Sequence, residues 1–532
     1  MTAPRRAAKE SPRQAAKESP RQAAKESPRR AAKESPRRAA KDAPRAAWFV
    51  AWLARPLASF HLVVAIAILL TLLGLVMVLS ASSVESYADG KSAYSLFMLQ
   101  VAMAAFGAVL FYIALRIPMR VMRRLSFPVF ALSVVLLVLV LIPGIGTKVQ
   151  GSQRWFDLGV VSVQPSEIAK VTLVVWGSHL LASRQTEKAG YKDLLMPLVP
   201  AGLLVCFLVV LEPNLSTTIA LGIVLTSLLW FGGLPLRMFV TIAVSGGVAA
   251  GVLALSAGYR SDRMRAFFSP GSDPQGIGYQ ARQAKFSLAD GGIWGRGLGQ
   301  SRAKWSYLPN AHNDFIFAII GEELGFLGCA LVLGLFALFV YAGLRIATRS
   351  ADPFIRLLTG SATTWITGQA FINVGYVVGL LPVTGLQLPL VSAGGSSLAI
   401  TLLMFGIIAN AARHEPEAVA ALQAGQDGRF SRLLRLPIPE MYSPARAQAA
   451  RARKKPKPKP KPKPKAGVKA APQRRALPPS GRGRGGSDAA ARRSVDSDTA
   501  RRTSRSTESW RSTRAWEPSY PTKHDRDRGR SR

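Results

Sequence analysis

The sequence predicts an all-α polytopic membrane protein of ten transmembrane helices, with a large extracytoplasmic loop between helices 7 and 8. Three observations carry this. Hydrophobic residues make up 49% of the 532-residue chain and charged ones 19%, yet the two are segregated, with an apolar middle between basic ends. From about Phe60 to Arg413 apolar runs recur, most of them close to the roughly twenty residues that cross a bilayer. Lys and Arg gather in alternate joints, as a positive cytoplasmic side requires.

The elements follow in chain order. Residues 1–47 form a basic leader on an octapeptide, "AAKESPRQ" or "AAKESPRR", that starts at Ala7, Ala15, Ala23 and Ala31 and decays at Ala39. Each copy carries a proline and no apolar face, so cytoplasmic disorder is expected rather than a helix or a solenoid. The membrane domain, 48–413, holds spans near 60–80, 96–115, 127–143, 165–183, 194–211, 215–232, 238–256, 315–343, 357–381 and 394–412. Only Glu212–Asn214 parts the fifth from the sixth. Arg116, Arg120, Arg123 and Arg124 follow span two, Arg184, Lys188 and Lys192 follow span four, and Arg345, Arg349 and Arg356 follow span eight. With an even number of spans, these joints share the cytoplasm with both termini.

The outer loop 257–312 breaks the trend with Arg260, Arg263, Arg265, Arg282, Lys285, Arg296, Arg302 and Lys304. Cations kept on that side point to an anionic ligand; equally, a loop of this length is translocated regardless of charge. The tail, 414–532, is expected to be disordered and basic. Its "KKPKPKPKPKPK" at 454–465 favours extended polyproline II, suited to anionic lipid or an acidic protein partner rather than nucleic acid. Cys206 and Cys329 sit in apolar runs and predict no disulfide framework. Five histidines without paired spacing give no metal signature.

The candidate chemistry centres on Asp314, which ends the polar run of "LPNAHNDFIFAIIGEELG" at the lip of span eight. One carboxylate is what transfer of a sugar from a lipid pyrophosphate needs. The acceptor hydroxyl requires a base, while the leaving group requires cations rather than an acid. Position alone favours the N-cap of span eight somewhat more, and a capping carboxylate stays ionised and can still act as a base. Glu322 and Glu323 lie about two turns deeper, where a charge faces a partner or a cavity. Glu167 and Lys170 in "PSEIAK" share a helix face at i,i+3, more as a neutralising pair than as a site. Arg154 before Trp155 either holds a phosphate or snorkels to a headgroup. Gln369 and Asn373, one turn apart, suit interhelical hydrogen bonding. Gly291, Gly292, Gly295, Gly297 and Gly299 look like a phosphate loop, but no strand precedes them and ATP is absent outside, so tight turns are expected.

Four stretches together resemble the SEDS family (shape, elongation, division and sporulation), most closely its FtsW branch. They are "GSQRWFDLGVVSVQPSEIAK", "GYQARQAKFSLADGGIWGRGLGQS", "YLPNAHNDFIFAIIGEELG" and "LPVTGLQLPLVSAGGSS". The resemblance covers about 60–413. It implies a ten-span fold and a peptidoglycan glycosyltransferase that polymerises lipid II at the division septum, in the plasma membrane. The implied base is Asp314, acting on the acceptor GlcNAc 4-hydroxyl with inversion and release of undecaprenyl pyrophosphate. Arg154, Glu167, Lys170, Arg302, Lys304, His312 and Ser396 are the implied substrate-binding residues. The family commonly shows His-Thr-Asp where this chain has His312-Asn313-Asp314, and an aromatic where it has Ala393. No cofactor is required by the sequence, and a divalent cation (Mg or Mn) on the pyrophosphate is left open. The implied partners are lipid II and the undecaprenyl-linked glycan, a class B penicillin-binding transpeptidase (FtsI-like), and other divisome proteins, with FtsZ reached through the tail. A lipid II flippase and a non-catalytic divisome scaffold are the competing readings. The clustering of polar motifs on the outer half favours the enzyme, because a flippase needs a polar path to the cytoplasm.

Overall fold

The computed structural model describes residues 51–443, leaving out 185–191, 269–276, 303–310, 426–431 and a few single positions or pairs. The leader, the Lys-Pro tail and Lys304 lie outside the described residues.

Each predicted apolar run coincides with a helix. These are α1 (Ala58–Ala88), α2 (Ser95–Arg116), α3 (Met119–Leu141), α4 (Pro165–Arg184), α5 (Leu198–Leu211), α6 (Leu215–Phe231), α7 (Leu236–Ser256), α10 (Ile316–Arg349), α11 (Pro353–Val378) and α12 (Ser396–Ala412). The loop after α7 contains two further helices, α8 (Gly258–Phe268) and α9 (Ile277–Gly291), and α13 (Pro416–Gln423) follows α12. Among the described residues, α1, α2, α3, α7 and α10 are each long and apolar enough to cross a membrane. Helices α12 and α13 make a sixth candidate if taken together, although they bend by 72°. Helices α5 and α6 are apolar but only 14 and 17 residues long.

The packing is that of a bundle in lipid. Val244, Val248 and Val252 of α7 and Phe106, Val109 and Ile113 of α2 face outward exposed. Apolar exteriors on this scale would aggregate in water and are at home in acyl chains. Inside, aromatic rings lock the helices: Phe339 stacks on Phe405 at 4.6 Å and Phe130 on Trp176 at 4.3 Å. Helices α2 and α12 approach closely because Gly107 and Gly406 face each other's helix. A Cβ on Gly107 would stand 2.9 Å from Ala399 Cα, and one on Gly406 would stand 2.7 Å from the Phe111 carbonyl oxygen.

Three features depart from the expectation. The joint before α4 is a small antiparallel sheet, β1 (Thr147–Val149), β2 (Ser152–Asp157) and β3 (Ser162–Val163), in the order β1-β2-β3. Its strands are too short for alternation to register, and the β2–β3 turn is set locally by the Gly159 N–H donating to Asp157 Oδ1 at 2.9 Å. The described residues of the loop 257–312 are largely helical, in α8 and α9. Beyond Arg413, residues 434–443 pack back against the helices. Arg413 Nη2 donates to the Pro437 carbonyl at 3.0 Å, Tyr112 Oη to the Leu434 carbonyl at 3.3 Å, and Arg120 pairs with Glu440.

Candidate functional site

Four interruptions of helix meet at one end of the bundle. They are the β2–β3 hairpin, the Glu212–Asn214 joint before α6, the turn holding Asp314 before α10, and the loop 382–387 after α11. Together with α8 they enclose a cavity of about 610 Å³, whose lining includes Arg154, Glu167, Arg263, Asn313, Asp314 and Gln369. Residues far apart in sequence converge there because each marks a place where an apolar span gives way to polar chain.

Asp314 does not cap α10. The N-cap position is Phe315, without a side-chain cap hydrogen bond, so the carboxyl turns to the cavity instead. Its charged neighbour is Arg263 of α8, whose Nη1 donates to the Thr384 carbonyl at 2.8 Å. Gly385 leaves room for both groups. A Cβ there would come within 3.5 Å of Asp314 Oδ2 and 3.6 Å of Arg263 Nη1, and its φ of +78° disfavours any other residue. Burial pushes the Asp314 carboxyl above the ordinary carboxylate range, while Arg263, Arg154 and His312 draw it back down. A base whose pKa is moved toward neutrality accepts a proton more readily than an exposed Asp. Glu212, fully buried behind the same wall, has neither carboxyl oxygen hydrogen-bonded among the described residues. Burial pushes it up to about 8, with Arg154 opposing.

Deeper in the wall, Lys170 Nζ lies 2.9 Å from Glu167 Oε1 and 3.3 Å from Gln369 Oε1, and 5.0 Å over the Trp365 ring. The i,i+3 pair is thus a buried ion pair, and Glu167 also forms cavity wall. Gln369 passes the connection on, its Nε2 donating to the Gln387 carbonyl at 3.0 Å.

The other predicted residues are placed differently. His312 sits beside the cavity, its carbonyl accepting from the Ala393 N–H at 3.0 Å. Ser396 is buried at the start of α12 and does not line the cavity; its neighbour Ser397 reaches Gln387 Oε1 at 2.5 Å. Arg302 is exposed and away from the cavity, held by its backbone N–H on Glu322 Oε1 at 2.6 Å.

The glycine loop has a structural role. Its Arg296 and Gly297 N–H groups donate to the Glu322 and Glu323 carbonyls at 2.9 and 3.0 Å. A Cβ on Gly291 would be driven into the Gly321 carbonyl oxygen. Glu322 accepts from Ser301 Oγ at 2.8 Å, and Ser80 Oγ lies 2.6 and 2.8 Å from the two Glu323 oxygens. Among the described residues no set of His, Cys, Asp or Glu side chains converges as metal ligands. Sequence reasoning missed Arg263, one of eight loop cations, and Glu212, passed over as a joint residue. For both, the only local signal was an ionisable group bordering an apolar span.

Comparison with known proteins agrees with the resemblance. A family model described as "Cell cycle protein", covering FtsW, RodA and SpoVE, matches residues 60–417. A probable peptidoglycan glycosyltransferase FtsW of Mycobacterium tuberculosis is 58% identical over 400 residues, 75% of this chain and 76% of that protein. The stage V sporulation protein E of Bacillus subtilis is 36% identical over 356 residues, 66% of this chain and 96% of that protein. Among solved structures, a chain from a peptidoglycan synthase complex that coordinates polymerisation and crosslinking aligns with a TM-score of 0.55 at 27% identity, covering 69% of this chain and 99% of that one. The rod shape determining protein RodA of Thermus thermophilus aligns with a TM-score of 0.50 at 27% identity over the same shares. With its helices, its cavity and its motifs in family order, the chain belongs to the SEDS family of FtsW, RodA and SpoVE proteins.

Proposed function

We propose that the chain is a peptidoglycan glycosyltransferase of the FtsW type, polymerising lipid II into glycan strands at the division septum. One observation carries the chemistry: the Asp314 carboxyl is not an N-cap but opens into a cavity beside the guanidinium of Arg263, with Arg154 in the same lining. In this reading the ten apolar helices all span, both termini are cytoplasmic, and the joint between α7 and α10 lies outside. The Asp314 carboxylate takes the proton of the acceptor sugar's 4-hydroxyl as that oxygen forms a bond to the anomeric carbon of the lipid-linked glycan. The bond from that carbon to the pyrophosphate breaks on the opposite face, inverting the centre and releasing undecaprenyl pyrophosphate. Arg154 and Arg263 offset the charge that develops on the leaving group. Glu167 and Lys170 fix the cavity wall. A class B penicillin-binding transpeptidase would crosslink the product, other divisome proteins would lie nearby, and FtsZ would be reached through the tail.

The test is polymerisation of lipid II by the full chain co-purified with its transpeptidase partner. Asp314→Asn keeps shape and removes the base, and should lower the rate by about 10²–10⁴-fold. Unchanged glycan synthesis by that variant would sink the assignment. If the variant also supported normal septation, the scaffold reading would replace it.

A further inference from the structure

Helix α11 presents three polar side chains at i, i+4 and i+7: Gln369, Asn373 and Tyr376. This spacing puts them on one face. All three reach backbone carbonyls of loops, and Gln369 also accepts from Lys170 of α4. Gln369 holds the Gln387 carbonyl, as above. Asn373 Nδ2 lies 3.0 Å from the Asp314 carbonyl, 2.7 Å from the Leu386 carbonyl and 2.6 Å from Tyr376 Oη. Tyr376 Oη in turn lies 2.7 Å from the Asp314 carbonyl and 2.8 Å from the Leu386 carbonyl. Donors and acceptors balance in two interchangeable arrangements. In the first, one Asn373 N–H donates to Tyr376 Oη, the other to the Leu386 carbonyl, and the phenol O–H to the Asp314 carbonyl. In the second, the amide donates to Tyr376 Oη and the Asp314 carbonyl, and the phenol to the Leu386 carbonyl. Asn373 Oδ1 finds no donor among the described residues, so only the donor side of this amide is in use. Both side chains are fully buried, and the Phe315 ring meets Tyr376 edge-on at 5.8 Å.

We infer that Asn373 and Tyr376 are positioning residues for the reaction, clamping the main chain of Asp314 to the loop at Leu386 so that its carboxyl stays aimed into the cavity. The two loops, one preceding α10 and the other following α11, also meet where the Ala393 N–H donates to the His312 carbonyl at 3.0 Å, but Asn373 and Tyr376 join them at Asp314 itself. Arg263 is tied to the second of them through Thr384. The clamp therefore helps to set the separation between the base and its neighbouring guanidinium, without touching either side chain. The inference rests on the reading of Asp314 as the base.

The experiment compares Tyr376→Phe and Asn373→Leu with Asp314→Asn, each in the full chain co-purified with its transpeptidase partner and assayed over a range of lipid II concentrations. Misplacing a base by about 1 Å lowers turnover by up to about 10²-fold. Asn373→Leu is accordingly expected to reduce kcat by about 10–100-fold, and Tyr376→Phe, which leaves the amide in place, by about three- to tenfold. KM for lipid II should stay within about twofold of wild type, since the clamp touches no substrate. Adding Tyr376→Phe to Asp314→Asn should cause no further loss, because the clamp acts only through that carboxyl. Wild-type kcat in Tyr376→Phe overturns the inference, as does a further loss in the double variant. So does a fall in kcat matched by a rise in KM in both clamp variants. If Asp314→Asn is inactive while Tyr376→Phe is normal, only the clamp is refuted; if Asp314→Asn is fully active, the proposed function fails first.

Discussion

Replacing Lys170 by Met removes a charge from the wall of the cavity while keeping the length of the side chain. Lys170 is 1% exposed, and its ammonium has three partners: Glu167 at 2.9 Å, Gln369 at 3.3 Å and the Trp365 ring at 5.0 Å. Its loss leaves the Glu167 carboxylate without its cation in a site that water reaches only from the cavity side. Breaking a buried ion pair from one side costs about 3–5 kcal/mol. Because Glu167 borders the cavity, the lower end of that range, about 3 kcal/mol, is the expectation here. A loss of that size lowers the apparent Tm by on the order of 5 °C in a chain this large. Removing both charges, as Glu167→Leu with Lys170→Met, should restore most of the loss, since an apolar pair leaves nothing uncompensated. Tryptophan fluorescence of the protein in detergent micelles, followed against temperature, reports both values. A Lys170→Met protein that melts within about 1 °C of wild type would refute the reasoning, and so would a double variant less stable than the single one.

Further outcomes follow from the same geometry. A base at Asp314, as proposed, must be ionised to act, so the rate should rise with pH through an apparent pKa above the ordinary carboxylate range. Arg263→Gln removes a charge that holds this pKa down, and should move the acid limb to still higher pH while lowering kcat by about tenfold or more. Glu212 stays protonated below about 8 and ionises above it, drawing on the field of Arg154. A decline of rate on the alkaline side near that value should disappear in Glu212→Gln, and its persistence would dissociate Glu212 from the site. Gly385→Ala forces a side chain into positive φ between Asp314 and Arg263, costing about 1–2 kcal/mol and lowering turnover in protein that still binds its partner. Gly291→Ala should loosen the glycine loop from α10, measured as faster proteolysis between residues 291 and 302 with lipid II turnover less affected than by Gly385→Ala.

The apolar runs alone determined where the helices lie, because a bilayer demands about twenty apolar residues and satisfied backbone wherever the chain crosses it. Its place at the lip of a span marked Asp314, whereas Arg154, Glu167, Lys170 and Lys304 were pointed to the cavity only by the family resemblance, because an ion pair or a snorkelling Arg explains those residue types equally well. Tertiary structure decided the remainder. Capping and catalysis make the same demand on residue type, so only the turn at Phe315 separates them for Asp314. Arg263 was one of eight equivalent cations until α8 set it against the loop at Thr384. Asn373, read with Gln369, was indistinguishable from an interhelical hydrogen-bonding residue and Tyr376 gave no signal, because what a buried side chain holds depends on which loop folds over it. Arg302 and Ser396 carry suitable chemistry but are held outside the cavity lining, one by Glu322 and one by the start of α12. Sequence fixes the chemistry available at each interruption of a span, whereas the distances between interruptions, and hence the site, exist only once the helices are packed.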